Sequence, residues 1–454
     1  MVGFLQGQLE YFQDKGFEVT VVSPAGKQLA ELAQGEGLRV IELPMARKIA
    51  PVRDLLSLVR LWRLVRALCP TVTNVGTPKA GLLGGFAAWV NRVPCRFYTL
   101  RGLRFETTKG LKRRLLVYAE RLACRFAHRV ICVSKSVREK AVAAGITSPE
   151  QTVVFGSGSS NGVDASRFAP TPEMMRRAAV LRCELGIPPH APVVGFVGRL
   201  TRDKGVPELM VAFLRLSVQF PDLRLLLLGR FEDEDPLPVA TRRHLETHPN
   251  VILVGHQLGK LSMGLHHRQL VPVGGQYRKR LRPQNQQPSA GRVTRLDQRA
   301  NERRLANQGG EDWPVEFELT APYYALMDVF VLPTHREGLP NVVLEAQAAG
   351  RPVVAARATG VVDVIVNGET GLLFPVGDAS ALADALARLL TDKELAKDLG
   401  RAGQERVKCE FRQEQIWEAL YQEYVGFLQA RDLMGPLTQM SNGSCSLQDE
   451  VAEI

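Results

Sequence analysis

The chain has 454 residues, 45% hydrophobic and 23% charged, with a formal net charge of +11. That length exceeds one ordinary hydrophobic core, so two α/β domains are expected. No run of about 18 apolar residues is free of charge, and the opening MVGFLQGQLEYFQDKG lacks the basic region, long apolar run and cleavage site of a signal peptide. The seven cysteines form no CxxC pair, and their spacing suits buried thiols in a reducing cytoplasm better than disulfides or zinc. Five of the eleven net positive charges fall in residues 258–319. The remainder suits a protein that handles diphosphates or rests on an anionic membrane, and does not by itself call for nucleic acid.

In chain order, FLQGQLEYFQDKG reads as a helix and GFEVTVVSP and LRVIELP as strands. RDLLSLVRLWRLVRAL is an amphipathic helix, RVPCRFYTL a strand, KRRLLVYAERLACRFA a second such helix and HRVICVS another strand. Helix and connector sequence over about 165–190 leads into APVVGFVGR, LRLLLLGR, NVILVGH, DVFVLP and RPVVAA, which read as further short strands. This alternation argues for parallel, doubly wound sheets. The expected organisation is a Rossmann-like domain over 1–172, a second over 190–408, a helix over 409–432 and a disordered tail over 433–454.

Two features depart from that plan. The chain opens inside a helix, so the strand expected first and centrally in a doubly wound sheet is missing, and a natural start further upstream is expected. Residues 258–319 lose both periodicities and are rich in Arg, Gln, Asn, Gly and Pro. They read as a basic, disordered insert in the second domain.

The chemistry concentrates in HREGLPNVVLEAQAAGRPVV (335–354). Glu337 stands on a loop after the strand DVFVLP. Glu345 falls just over one turn into a helix that begins near Pro340 and is stopped by Gly350 and Pro352. Paired carboxylates there accept hydrogen bonds from sugar or ribose hydroxyls, and the helix N-terminus receives phosphate. GRLTRDKG (198–205) follows another strand and places Arg199 and Lys204 at the ligand-binding edge of an α/β sheet.

EGLPNVVLE, GRLTRDKG, SNGVDASRF (160–168) and GETGLLFPVGDASALADAL together resemble the retaining glycosyltransferases of family 4, with the GT-B fold. GTPKAGLLGG and TLRGLRFET further resemble bacterial members that build capsule, O-antigen or exopolysaccharide. The resemblance implies two Rossmann-like domains across a cleft and a metal-independent, retaining hexosyltransferase without a cofactor. It implies that Arg199 and Lys204 neutralise the departing diphosphate and that Glu337 binds the donor sugar. Glu345 would hold the ribose hydroxyls, with Gly198, Gly338 and Leu339 along the donor. Arg101 stands where many relatives have a His and is an acceptor-side candidate. The implied partners are a nucleotide-sugar donor, UDP-sugar by default and GDP-mannose as an alternative, and a glycan or polyprenol-linked acceptor. The implied location is the cytoplasm, with peripheral contact to the inner face of the membrane through the two basic amphipathic helices.

Other readings stay open at this stage. Asp233-Glu234-Asp235 offers a DxD cluster for Mg²⁺ or Mn²⁺ in a metal-dependent glycosyltransferase. An inactive homologue acting as a binding protein would explain the insert and the missing strand. The insert has few aromatic residues to stack bases, so nucleic acid is not an expected partner.

Overall fold

The computed structural model describes residues 5, 7–26, 29, 32, 38–45, 50–255 and 317–433. Residues 258–316 of the expected insert and the tail beyond Leu433 lie outside the described residues. The last three residues of that insert, from Phe317, already belong to a helix.

In the N-terminal lobe, α1 (Gln8–Asp14) leads to β1 (Thr20–Ser23), which pairs in parallel with β2 (Arg39–Glu42). Then follow α2 (Pro51–Leu68), β3 (Val72–Val75), α3 (Pro78–Val90), β4 (Cys95–Leu100), α4 (Gly110–Phe126), β5 (Arg129–Cys132), α5 (Lys135–Ala143) and β6 (Thr152–Val153). Strands β3 to β6 form a second parallel sheet in sequential order, and among the described residues no strand joins it to the β1–β2 pair. The GTPKAGLLGG stretch builds α3: the Thr77 hydroxyl caps it by accepting from the Ala80 N–H at 3.1 Å, and Pro78 sits in its first turn. Its glycines let the helix close on the sheet, since a Cβ at Gly81 would lie 2.5 Å from the Tyr98 ring.

The C-terminal lobe holds α6 (Pro172–Glu184), β7 (Val193–Val197), α7 (Val206–Gln219), β8 (Arg224–Leu228), α8 (Val239–Thr247), β9 (Val251–Leu253), α9 (Phe317–Leu326) and β10 (Val329–Leu332). It continues through α10 (Asn341–Ala348), β11 (Val353–Ala356), α11 (Val361–Val364), β12 (Leu372–Phe374), α12 (Ala379–Thr391) and α13 (Lys393–Glu410). Its six strands are all parallel, in the order β12-β11-β10-β7-β8-β9. Strands buried on both faces are apolar throughout, as VFVL and VVAA are, because helices cover the sheet on both sides. Between β7 and β10 the strand order reverses direction, which opens a crevice at their C-terminal ends.

The final helix, α14 (Gln413–Gln429), returns to the N-terminal lobe. Its Ile416, Leu420, Tyr424 and Leu428 complete a core with Phe12, Phe97, Ile131 and Phe155, and the Tyr424 hydroxyl meets the Asn74 amide at 2.6 Å. The helix expected over 409–432 is thus shorter, broken from α13 at Phe411 and Arg412, and part of the first lobe's core. The chain passes between lobes twice at one place, where the Val163 N–H donates to the Phe411 carbonyl at 2.8 Å. Gly162 is required there: its φ is +69°, and a Cβ would lie 2.7 Å from the Gln413 backbone.

Candidate active site

The crevice between β7 and β10 brings two loops together. After β7, Gly198 (φ +152°) turns the chain into residues 199–205, and Gly205 closes this loop at the head of α7. After β10, residues 333–340 lead into α10. The loops touch closely, since a Cβ at Gly205 would lie 1.9 Å from the Pro333 carbonyl oxygen. Pro340, expected inside the first turn of α10, is its N-cap, and Gly350 (φ +68°) follows the helix end as the sequence implied.

Lys204 and Glu337 form an ion pair in this crevice, each side chain mostly buried. Arg199 lies beside them, half-exposed. Its guanidinium donates to Glu232 at 2.7 Å and approaches Asp203 at 3.5 Å. Burial pulls its pKa down, but the Glu232 hydrogen bond and the charges of Asp203, Glu232 and Glu337 outweigh that and raise it. Arg199, Lys204 and Glu337, singled out in the sequence, are therefore brought together in one crevice.

Glu345 stands apart from that pair. It lies within α10, 7% exposed, and its Oε2 accepts from the Tyr324 hydroxyl at 2.6 Å. Burial pushes its carboxyl up to about 7, against the Tyr324 hydrogen bond and the Arg167 charge, which pull it down. The two acids are thus chemically unlike, although they read as equivalent in the sequence.

Gly338 is the seam between the lobes. Its carbonyl accepts from the Ser134 hydroxyl at 2.9 Å, and a Cβ on it would lie 1.8 Å from the Arg101 carbonyl oxygen. Leu339 packs near Gly158, where an added Cβ would approach it to 2.9 Å. Arg101 presents its backbone to this seam, while its guanidinium donates to the Ser160 hydroxyl at 2.8 Å. Burial lowers the Arg101 pKa to about 10.

Several residues that the sequence reading passed over hold the two loops in place. The Asp203 carbonyl accepts from the His335 N–H at 2.8 Å and from the Thr334 hydroxyl at 3.2 Å. Its carboxylate accepts from Thr201 at 2.5 Å and from Arg336 at 3.3 Å. Burial raises the Asp203 pKa, but the Thr201 hydrogen bond and the Arg199, Lys204 and Arg336 charges outweigh it, so the carboxyl stays low. His335 Nε2 meets Glu208 at 2.9 Å, and that hydrogen bond holds the imidazole above its ordinary range. Across the cleft, Arg336 Nε donates to the Thr107 hydroxyl at 3.0 Å, and the Thr359 hydroxyl donates to Glu106 at 2.7 Å. Ser136 caps the other side by binding Asp363 and accepting from the Gly360 N–H at 2.8 Å. The signal for Asp203 lay inside GRLTRDKG itself, beside the lysine; nothing in the sequence marked Glu208 or Thr107.

Of the acidic cluster read as a DxD element, Asp235 accepts from the Asp203 N–H at 2.7 Å; the preceding Glu232, outside that cluster, pairs with Arg199. Among the described residues no group of three His, Cys, Asp or Glu side chains is placed to hold a metal ion. No described helix is long and apolar enough to cross a membrane.

Residues 4–158 match the family described as Glycosyl transferase 4-like domain, and residues 290–392 match Glycosyl transferases group 1. The second match begins inside the segment read as an insert. A capsular polysaccharide biosynthesis glycosyltransferase of Staphylococcus aureus, CapM, is 31% identical over 94% of each chain. The chain belongs to the group 1 glycosyltransferases. This glycosyltransferase is also 22% identical to an Escherichia coli UDP-Gal:alpha-D-GlcNAc-diphosphoundecaprenol alpha-1,3-galactosyltransferase, over 86% of this chain and 84% of that one. Anabaena HepE, solved with UDP and glucose, superposes with a TM-score of 0.66 at 19% identity, covering 94% of this chain and 95% of that one. Sucrose-phosphate synthase from Thermosynechococcus elongatus gives the same score at 21% identity, covering 94% and 93%. These two likenesses establish that the glycosyltransferase has the GT-B fold.

Proposed function

We propose that this glycosyltransferase moves a hexosyl group from a nucleotide sugar, UDP-sugar before GDP-mannose, onto a glycan or polyprenol-linked acceptor in cell-surface polysaccharide synthesis. The observation that carries the reading is the placing of Arg199 and Lys204 beside Glu337 at the C-terminal ends of β7 and β10, facing the other lobe. Fixed cations there stabilise charge that develops on a departing diphosphate, and they need no rearrangement as it develops. Glu337 and Glu345 supply acceptors for sugar and ribose hydroxyls, and Gly338 allows the donor close to the backbone. The acceptor hydroxyl attacks from the face the nucleotide leaves, so the anomeric configuration is retained, and Arg199 and Lys204 do the work a metal would do.

The names of the relatives support the cell-surface setting: CapM is a capsular enzyme, and the Escherichia coli relative uses a UDP-sugar and a diphosphoundecaprenol acceptor. HepE, which holds UDP and glucose, supports the uridine donor. On this reading the enzyme works at the cytoplasmic face of the membrane.

Thermal-shift titration of the full chain with UDP, GDP and ADP tests the donor, with UDP expected to stabilise most. Hydrolysis of the matching sugar nucleotide is expected to survive EDTA and to be lost in Glu337→Gln and Arg199→Ala. No stabilisation by any of the three nucleotides would overturn the proposal. Turnover abolished by EDTA and restored by manganese would overturn its metal-free part.

A further inference from the structure

We propose that Thr359 is a positioning residue for Glu337, and that Lys140 and Glu106 of the first lobe set where Thr359 stands. The first lobe thereby finishes a site whose chemistry is carried by the second. This rests on the reading of Glu337 as the group that meets the donor sugar, and adds what fixes its backbone.

The turn at Glu337 and Gly338 is clasped between two segments. On one side lies the Arg101–Gly102 backbone of the first lobe, where an added Cβ on Gly102 would come within 3.4 Å of the Gly338 nitrogen. On the other side lie Thr359 and Gly360, between β11 and α11. The Glu337 N–H donates to the Thr359 carbonyl at 3.1 Å. Gly360 has a φ of +76°, and a Cβ there would lie 2.3 Å from the Gly338 carbonyl oxygen. Contact this close leaves the Glu337 turn no slack, so a shift of Thr359 and Gly360 carries it along.

Thr359 and Gly360 belong to the second lobe, yet the partners of the Thr359 hydroxyl and the Gly360 N–H come from the first. The Gly360 N–H donates to the Ser136 hydroxyl at 2.8 Å, and the Ser136 N–H donates to Asp363 at 3.2 Å. The buried Thr359 hydroxyl donates to Glu106 Oε1 at 2.7 Å and accepts from the Lys140 ammonium at 2.5 Å. Lys140 also pairs with Glu106 directly. Glu106 stands on a single turn of 3₁₀ helix, Arg104–Thr107, and Lys140 in the last turn of α5, where the helix dipole favours a cation. Two separate elements of the first lobe thus converge on one hydroxyl.

Glu106 makes both contacts through one oxygen. Its Oε2 is buried with no hydrogen-bond partner among the described residues, an unfavourable arrangement for which packing alone gives no reason. The group between Glu106 and Lys140 must donate to one and accept from the other. A serine meets that demand and a valine, though close to threonine in shape, does not. The consequence for the reaction is a condition: the Glu337 turn is set only while the lobes are together. A displacement of about 1 Å at such a group is enough to slow a reaction about a hundredfold.

The test uses the full chain and the variants Thr359→Val, Lys140→Met and Thr359→Ser. The Lys140 side chain is half-exposed, so its replacement spares both cores. Hydrogen exchange is followed on a peptide covering residues 336–340, with peptides from β4 and β10 as references. Thr359→Val and Lys140→Met should speed exchange at 336–340 about fivefold or more, with both reference peptides unchanged. Hydrolysis of UDP-glucose or UDP-galactose, whichever the parent turns over faster, should fall about tenfold or more in kcat/KM. The thermal shift induced by UDP alone should stay, because UDP carries no sugar for Glu337 to meet. Thr359→Ser should keep the parent's exchange and turnover. Unchanged exchange in Thr359→Val and Lys140→Met overturns the proposal. So does slow turnover accompanied by a larger radius of gyration, which would make the contact a tether between lobes. Faster exchange with undiminished turnover leaves Thr359 as the support of the turn and removes Glu337 from the catalytic reading instead. A parent that hydrolyses neither donor also counts against that reading, and exchange alone then decides the positioning.

Discussion

Burial gives Glu345 a different chemistry from Glu337, although the two acids stand eight positions apart in one motif. With a folded pKa of about 7 against an ordinary 4.5, the protonated form is favoured by folding. That stability is fully present below pH 4.5 and is lost as pH rises through about 7; it amounts to at most about 3 kcal/mol. Glu345→Gln, which cannot ionise, should flatten the fall in thermal midpoint across this window. On the proposed ribose contact, the same group should couple to the donor. A ribose hydroxyl donates better to a carboxylate than to a neutral carboxyl, so the donor KM should fall as pH rises from about 6 to about 8, and the trend should vanish in Glu345→Gln. His335 moves in its own window: raised by Glu208, it contributes stability below 6.5 that is lost as pH rises through its higher folded value.

At the scale of elements, the loops after β7 and β10 act as one unit because Asp203 binds both. Asp203→Ala strips Thr201, Arg199 and Arg336 of a shared acceptor and should lower kcat/KM about tenfold or more, with a thermal midpoint close to the parent's. The loss should appear in steady-state kinetics with excess donor as well as at low donor, because the misplaced groups are, on the proposed function, the cations that meet the departing diphosphate. The elements that place these loops were legible in the sequence: VVGFV, RLLLL, VFVL and VVAA are apolar runs bounded by turns, and each is a buried strand. Strands β3, β6 and β12 were not recognised, since TVTNV, TVV and GLLF offer two to four paired residues and no alternation. The return of α14 to the first lobe was also illegible. Its apolar residues announce a packed face, but the partner surface is built from Phe97, Ile131 and Phe155, more than two hundred positions earlier. That Arg199, Lys204 and Glu337 lie together could be anticipated from their types and spacing; the Glu208–His335 pair could not, because each residue alone reads as a solvated side chain.

At the scale of the whole molecule, the closed arrangement of the lobes depends on Gly338 lacking a side chain. A methyl group there would meet the Arg101 carbonyl of the opposite lobe, while each lobe's own core is untouched. Gly338→Ala should therefore keep a thermal midpoint near that of the parent and reduce turnover. It should also enlarge the radius of gyration in small-angle scattering, the signature of lobes held apart. A variant with unchanged scattering and unchanged turnover would show that this contact does not govern closure.

Because residues 156–168 and 410–413 run side by side between the lobes, the second lobe is in effect spliced into the first. During synthesis the first half of the chain emerges early but lacks Ile416, Leu420, Tyr424 and Leu428, so its exposed phenylalanines must wait on the ribosome until the rest has been made. The nascent protein is then most vulnerable in its oldest part, and a shortened product ending before α14 would lose its amino-terminal half to aggregation or proteolysis while the later-made portion stayed compact.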